Sequence, residues 1–472
     1  IKSRVTGAIS KVEGETLRNT PVPSVQLALQ GKTAGVFVEA VNGKVSGATR
    51  MRIRGSASVT ADNQPLFVVD GIPITNEAMN YAGSAINPLT SINVNDIASV
   101  EILKDAASSA IYGSRGANGV VLITTKKGQS GDTKLNFNFQ TGFSEASNRR
   151  EFINAEEYIE LFSEAAYNSD LLEGYDPINN PADYPGSWLE FARGRFDRYS
   201  GWSDWTTNET DVDWQDEIFR TGKMLATDLS AQGGNDKLKY FASVGYNKQE
   251  GILTANDIER ISARLNVDNN INDYIDFGFA LSLNRTFINN VSDDNAFSTP
   301  MQLVAQAPIT PVRDLDGELY NTPTTTYYNG LIDVEDASRE VIEYRSLFNS
   351  YLNFNLYEGL KWRNEFGFDL YNLKENGRYG VKTNSGTGVN GYGFGNFGQT
   401  QNIATKSYLD YTKFTEGFSV SAVLGTEFIY TSVERLRAEG EQFPLDDLKT
   451  LASAGLITGA TSTLTQYSFL SY

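Results

Sequence analysis

The densest run of side chains suited to gripping a ligand lies in residues 188–216. There Trp188, Trp202, Trp205 and Trp214 are interleaved with Asp204, Asp211, Asp213 and Asp216. Indole faces pack on apolar faces of sugars and peptides, and carboxylates accept their hydrogen bonds. The pattern predicts a sugar-stacking or peptide-gripping surface. Loop-on-loop packing, or docking to a second protein, explains the same residues, because interfaces also enrich Trp. A second acidic run, DLDGE, places Asp314, Asp316 and Glu318 within reach of one oxygen-liganded Ca²⁺. It lacks the twelve-residue EF-hand layout, so a solvated turn is the competing reading. Asp293-Asp294 and Asp446-Asp447 are weaker versions of the same signal. Glycoside hydrolysis needs only two carboxylates, but no pair is singled out here.

Other chemistry is excluded by two zeros. The 472 residues contain no His and no Cys. That removes thiol nucleophiles, disulfides, thiolate or imidazole metal sites, and the Ser-His-Asp triad. No catalytic residue is expected, and no cofactor is required, with Ca²⁺ in long loops the one ion considered. The formal net charge of −18 argues against a nucleic-acid partner.

Four further features lie in the first part of the chain. Arg52 and Arg54 in MRIRG are two residues apart on a predicted strand and so share a face. They are candidates for an ionic latch, or for an ordinary ion pair within their own domain. Asp70-Gly71 in FVVDGIPI reads as a strand-ending turn. Gly113, Gly116 and Gly119 are spaced like a phosphate-binding loop but precede a strand, so the dinucleotide motif fails. Lys126-Lys127 mark a polar boundary.

The elements that must position these residues fall into two textures. Residues 1–128 hold 13 Lys+Arg and 9 Asp+Glu, a net of +4, which leaves −22 for the remainder. In this first part Val36–Val38, Met51–Ile53, Leu66–Val69, Val100–Leu103 and Val120–Thr124 read as short buried strands. Asp105–Ile111 and Pro23–Gly31 read as short helices, giving a small α+β domain. From about residue 133 the chain alternates apolar and polar residues over long stretches. Leu135, Phe137, Phe139 and Phe143 stand against Asn136, Asn138 and Gln140. Ile261, Ala263, Leu265 and Val267 stand against Ser262, Arg264, Asn266 and Asp268. About ten such strands are expected, near 133–143, 223–233, 237–249, 257–270, 273–288, 341–357, 360–374, 401–414, 417–431 and 464–472. Tight turns alternate with long segments near 144–222, 289–340, 376–400 and 432–463. That alternation is the sequence signature of an outer-membrane barrel. Asn154–Asn168 in the first long segment reads as an Asn-capped amphipathic helix.

No apolar run of about 18 residues exists to form a membrane-crossing helix. Residues 1–10 do not read as a signal peptide, so an exported protein would be represented by a mature or trimmed chain. Ten strands cannot close around a whole domain, whereas about 22 can. The expected fold is mostly β: a transmembrane antiparallel β-barrel, of about 22 strands when complete and about ten here. An N-terminal α+β plug domain (1–128) sits in its lumen, and 133–472 form the first part of the wall.

The first domain resembles the plug of SusC/RagA-type TonB-dependent outer-membrane transporters. The resemblance is carried by Val5–Leu17, Val22–Val38, Met51–Ile74 and above all NVNDIASVEILKDAASSAIYGSRGANGVVLITTKKG, Asn93–Gly128. It implies active import of bulky nutrients, oligosaccharide or peptide, in Bacteroidetes-like outer membranes. It also implies energy from the TonB complex, a SusD-like surface lipoprotein as lid, a plug on the periplasmic side and loops facing the exterior. The family's carboxypeptidase-like extension and TonB box are not found in this sequence, so coupling to TonB is implied by the resemblance alone. A non-transporting structural or sensing component with the same fold is one alternative. A soluble adhesin-like β-protein is another. In the latch reading, Arg54→Ala loosens the plug and raises passive leakage.

Overall fold

The computed structural model describes residues 9–20, 22, 24–55, 63–75, 86–180, 186–291, 302–321, 328–414 and 418–472. The first part holds β1 (Ile9–Glu13), α1 (Gly14–Arg18), α2 (Val25–Ala28), β2 (Val36–Ala40), β3 (Thr49–Ile53), β4 (Leu66–Val69), β5 (Ile72–Ile74), β6 (Ile97–Leu103), α3 (Ala106–Ser109) and β7 (Val120–Thr125). Five strands form one sheet in the order β1-β6-β7-β4-β5, with β4 and β7 parallel, while β2 and β3 pair separately. One core lies beneath them, built from Leu17, Val25, Met51, Phe67, Leu89, Ile97, Val100, Ile102, Val121 and Ile123. All five expected strands are present. The pattern missed β5 because Pro73 sits at its centre, and proline demotes a strand unless it lies at a sheet edge. That is where β5 lies. The glycines 113, 116 and 119 lead into strand β7 rather than into a helix.

The second part is a single ten-stranded antiparallel sheet, β8 (Gly131–Ser144), β9 (Gly222–Gly234), β10 (Leu238–Glu250), β11 (Asp257–Asn272), β12 (Ile275–Asn289), β13 (Ala337–Tyr357), β14 (Leu360–Tyr379), β15 (Tyr392–Phe414), β16 (Ser419–Glu441) and β17 (Leu456–Ser471). Every strand pairs with its neighbour in sequence, and β8 and β17 are the sheet's edges. This is a partial transmembrane β-barrel. Among the described residues no helix is long and apolar enough to cross a membrane.

The period-two pattern sorts residues between two surroundings. On the outer face Leu135, Phe137, Phe139, Val244, Ile261, Leu265 and Leu283 are exposed. On the inner face Ser243, Arg260, Arg264, Asn266, Asn284, Glu343, Arg345 and Asp369 are buried against the plug. The register Val244↔Ala263↔Leu283 keeps the apolar row continuous across β10, β11 and β12. A slip of one residue would reverse every assignment.

The later strands run farther than the pattern indicates. β14, β15 and β16 reach 20 to 23 residues, so the connections expected at 376–400 and 432–463 shrink to 380–391 and 442–455. Glycine hid this. Gly377 and Gly393 weaken the strand signal, yet each leaves room for an aromatic ring. A Cβ on Gly377 would meet the Phe394 ring at 2.2 Å, and one on Gly393 would meet Phe443 at 2.8 Å. The rings cover the bare backbone and the ladder continues through it.

Long connections gather at one end of the sheet. The largest, 145–221, carries α4 (Ala155–Leu172), α5 (Trp188–Ser200) and α6 (Trp214–Ile218); α7 (Leu331–Asp336) precedes β13. Asn154 caps α4 in a full capping box with Glu157. The expected turn at Thr415–Gly417 lies outside the described residues.

An arginine on the outer row tests which face meets hydrocarbon. Leu283→Arg should cost about 2–4 kcal/mol of wall stability if it lies near the bilayer midplane. The measurement is the heat-modifiable gel shift of the full-length protein in membranes. Normal assembly of Leu283→Arg would place that row in water.

Candidate functional site

The plug meets the wall through a polar interface with three centres. The first is the turn at Asp70-Gly71, where φ is positive at both residues, 47° and 89°. Aspartate tolerates this geometry and glycine adopts it freely. The Asp70 carboxylate accepts from the Thr125 N–H (2.9 Å), the Thr125 hydroxyl (2.6 Å) and Nη2 of Arg264 on β11 (2.6 Å). Asn349 on β13 donates to the Asp70 carbonyl, and Lys406 on β15 donates to the Gly71 carbonyl at 3.0 Å. One turn of the plug is therefore held by three wall strands.

The second centre surrounds Arg345, whose side chain is fully buried with its partner Asp369. The two make a bidentate pair, Nε to Oδ1 at 3.0 Å and Nη2 to Oδ2 at 2.8 Å. The remaining N–H groups donate to plug carbonyls, at Pro88 (3.2 Å) and Thr75 (3.2 Å). Arg260 does the same to Thr90 (2.7 Å) and Ile92 (3.3 Å). The third centre joins Asn93 and Asn95 to Asp228 on β9, and Asp96 to the Ser243 hydroxyl at 2.6 Å. Burial pushes the Asp96 carboxyl above its ordinary range, against the opposing pull of Ser243 and Arg264. A fourth contact runs the other way: Arg115 of the plug pairs with Glu427 of β16 at 3.2 Å.

The expected latch residues, Arg52 and Arg54, are not among these contacts. Among the described residues neither side chain pairs with the wall. Arg52 is half-buried on β3 opposite Phe37. Arg54 lies past Ile53, the last paired residue, at φ 60° and exposed. The strand ends one residue too early for the two to share a face. The arginines that grip the plug, Arg260, Arg264 and Arg345, stand in the inner polar rows of β11 and β13. Their signal was available: arginine recurs in the inward polar rows of β11 and β13.

The four tryptophans are dispersed over the long connections rather than gathered. Trp214 is buried and donates to the Ala307 carbonyl at 3.2 Å. Trp205 donates to Asp197 at 2.7 Å and packs on Phe196. Trp188 donates to Glu173 (3.0 Å) and Trp202 to the Arg313 carbonyl (3.0 Å), and both remain partly exposed. The interleaved acids serve the same packing: Asp204, Asp211 and Asp213 accept backbone N–H groups, and Asp216 pairs with Arg149. Trp214, Tyr158 and Tyr199 border a cavity of about 680 Å³. The DLDGE acids do not converge on a cation. Asp314 accepts the N–H groups of Asp316 and Glu318, and Glu318 pairs with Lys382 at 2.8 Å. Among the described residues no group of acids could hold a metal ion. Asp293-Asp294 lie outside the described residues, and Asp446 pairs with Arg378.

Residues 1–120 match the family model of the TonB-dependent receptor plug domain. TonB-dependent receptor P3 of Formosa agariphila is 31% identical over 439 residues, 90% of this chain and 38% of the relative. The chain carries a TonB-dependent receptor plug domain and is similar to SusC/RagA-type receptors over its matched residues. TonB-dependent receptor SusC of Bacteroides thetaiotaomicron is 34% identical over 267 residues, 56% of this chain and 23% of that receptor. The structure of the RagAB peptide importer in its closed-closed state superposes with a TM-score of 0.81 at 22% identity, over 99% of this chain and 52% of that one. The chain thus spans well under half the length of these curated relatives and about half of that solved chain. These relatives are receptors and transporters, not enzymes.

Two variants separate the wall arginines from the plug's own as the candidate latch. Arg345→Ala leaves Asp369 buried without its partner, a loss of about 3–5 kcal/mol, and should raise entry of a bulky antibiotic into cells carrying the full-length receptor. Arg54→Ala should leave entry unchanged. The reverse result would return the latch to the plug's own arginines.

Asp96 gives a pH signature. Its folded pKa lies above the ordinary 3.8, so its stabilising contribution is complete below that value and is lost as pH rises through the folded pKa. Asp96→Asn keeps an acceptor for Ser243 without the charge. Its plug should resist urea better than the original at pH 7 and equally at low pH. An advantage independent of pH would refute this.

Proposed function

We propose that the chain forms the plug and the first part of the wall of an outer-membrane importer for bulky nutrients, oligosaccharide or peptide. TonB energises it, and a SusD-like lipoprotein closes its outer mouth. The plug faces the periplasm and the long connections face the exterior. The observation that carries this reading is how the plug is held. Wall side chains grip plug backbone carbonyls at Thr75, Pro88, Thr90, Ile92 and Gly71. Such bonds can be exchanged for water, which suits a domain that must shift and reseat, while Ile86 of the plug packs with wall Ile258, Ile288, Val341 and Leu373 as a smaller apolar contact.

The mechanism is a two-state gate. Seated, the plug satisfies the inner polar row and fills the lumen. Force from the periplasm detaches part of it, and the freed arginines and asparagines then line a hydrated path. Ligand bound outside biases the same equilibrium. Trp188 and Trp202, with exposed rings on the long connection, are the contacts we assign to ligand or lid. No bond is made or broken in the substrate.

Growth tests this. A strain lacking the full-length gene should lose growth on one glycan or peptide mixture supplied as sole carbon source, and inactivating TonB should reproduce the loss. Normal growth on the whole panel, with the surface complex disrupted, would instead favour a structural or sensing component.

A further inference from the structure

Hydrogen bonds to plug carbonyls hold the plug without fixing where it sits. Every residue carries the same backbone acceptor, so a plug that had slipped along the wall could form such bonds again. Register needs a contact that discriminates between side chains, and two rungs of the wall provide one.

The first rung is Asn349–Gly367–Ala404, across β13, β14 and β15. Gly367 is buried on the inner row, and Ile72 of the plug lies over it. A Cβ at Gly367 would stand 2.6 Å from Cγ1 of Ile72 and 2.7 Å from its Cδ1. Ile72 and Ala404 are each 4% exposed, so the fit is closed to water. Asn349 flanks it and donates to the Asp70 carbonyl, while Leu347 of the same strand joins the plug's own core.

The second rung is Asp228–Gly245–Ser262, across β9, β10 and β11. Here the plug side chain is Asn93. A Cβ at Gly245 would stand 2.6 Å from its Nδ2, which donates to Asp228 at 2.8 Å and to Ser262 at 3.0 Å. In both rungs a glycine of the middle strand is the floor and its lateral neighbours are the sides. The two occupants do not interchange. An amide over Gly367 would face the Ala404 methyl, and isoleucine over Gly245 would strip Asp228 and Ser262 of a donor.

We propose that Gly367 and Gly245 are positioning residues of the gate, each the floor of a socket that admits one plug side chain and so fixes where the plug reseats. The assignment rests on the reading of the plug as a movable gate. The arginine contacts supply the grip, and the sockets supply the address.

The test exchanges knob and hole. Valine suits a strand better than glycine, so Gly367→Val should keep the heat-modifiable gel shift of the full-length receptor while it fills the socket. Entry of vancomycin into cells carrying that variant should rise at least about fivefold, the shift that overpacking brings to a two-state equilibrium. Ile72→Ala removes as many carbons as that valine adds. Combined with Gly367→Val, it should return entry to within about twofold of the original receptor. If Gly367→Val loses the gel shift, Gly367→Ala with Ile72→Val makes the same comparison with one methyl exchanged. Gly245→Ala should also raise entry, by displacing Asn93. Gly142→Ala should not, because on the inner row of β8 its Cβ would stand 3.8 Å from Met224. Unchanged entry in the Gly367 or Gly245 variants would overturn the proposal, as would a double variant that leaks as much as Gly367→Val alone. Sealing restored by the double variant, in a receptor whose deletion leaves growth unaffected, would sink the import reading and spare the sockets.

Discussion

A polar side chain on the inner row of a wall strand loses access to bulk water once the plug is seated. Each must then find its partner in the plug or in a neighbouring strand, or remain buried and unpaired. Most find backbone. Arg260, Arg345, Asn266 and Lys406 all donate to plug carbonyls. Carbonyls are present whatever the side chain, so the grip reads the plug's path through space more than its sequence. Among the described residues Asp70, Asp96, the Arg115–Glu427 pair and Lys126 over the Phe241 ring tie the interface to charged plug side chains.

The outer row obeys the opposite demand. Hydrocarbon offers no hydrogen bonds, so the backbone of every crossing segment must be paired within the sheet. The unbroken ladder from β8 to β17 meets that demand among its interior strands, and the apolar row supplies the matching surface. The two rows are one residue apart, which is why register matters more here than in a sheet whose faces both meet protein. At the rim the demands relax. There the long connections build their own small cores, such as Trp214 with Ile218, Leu253 and Leu303.

Much of this was legible in the sequence because two periods are unmistakable. Alternation over residues 133–289 fixed β8 and β10 to β12 closely, and the Asn154 capping box fixed α4 at its start. The plug's strands announced themselves as short apolar runs between turns. Three things stayed hidden, each for a physical reason. Glycines at 377 and 393 read as interruptions although aromatic rings cover them. Pro73 masked an edge strand. Arg260, Arg264 and Arg345, which hold the plug from the wall, were not singled out, because one chain's pattern shows which face a residue takes but not what stands across from it. The tryptophans of 188–216 likewise take different packing partners, Trp205 on Phe196 and Trp214 in the cluster of Ile218, Leu253 and Leu303.

The Asp70-Gly71 turn has a consequence for biogenesis. Wall strands join only their neighbours, so the sheet can grow hairpin by hairpin through local encounters. The turn's own partners lie 194, 279 and 335 residues downstream. The plug, made before the strands that will clasp it, is thus seated late, and it must wait, folded but undocked, while those strands are laid down in turn.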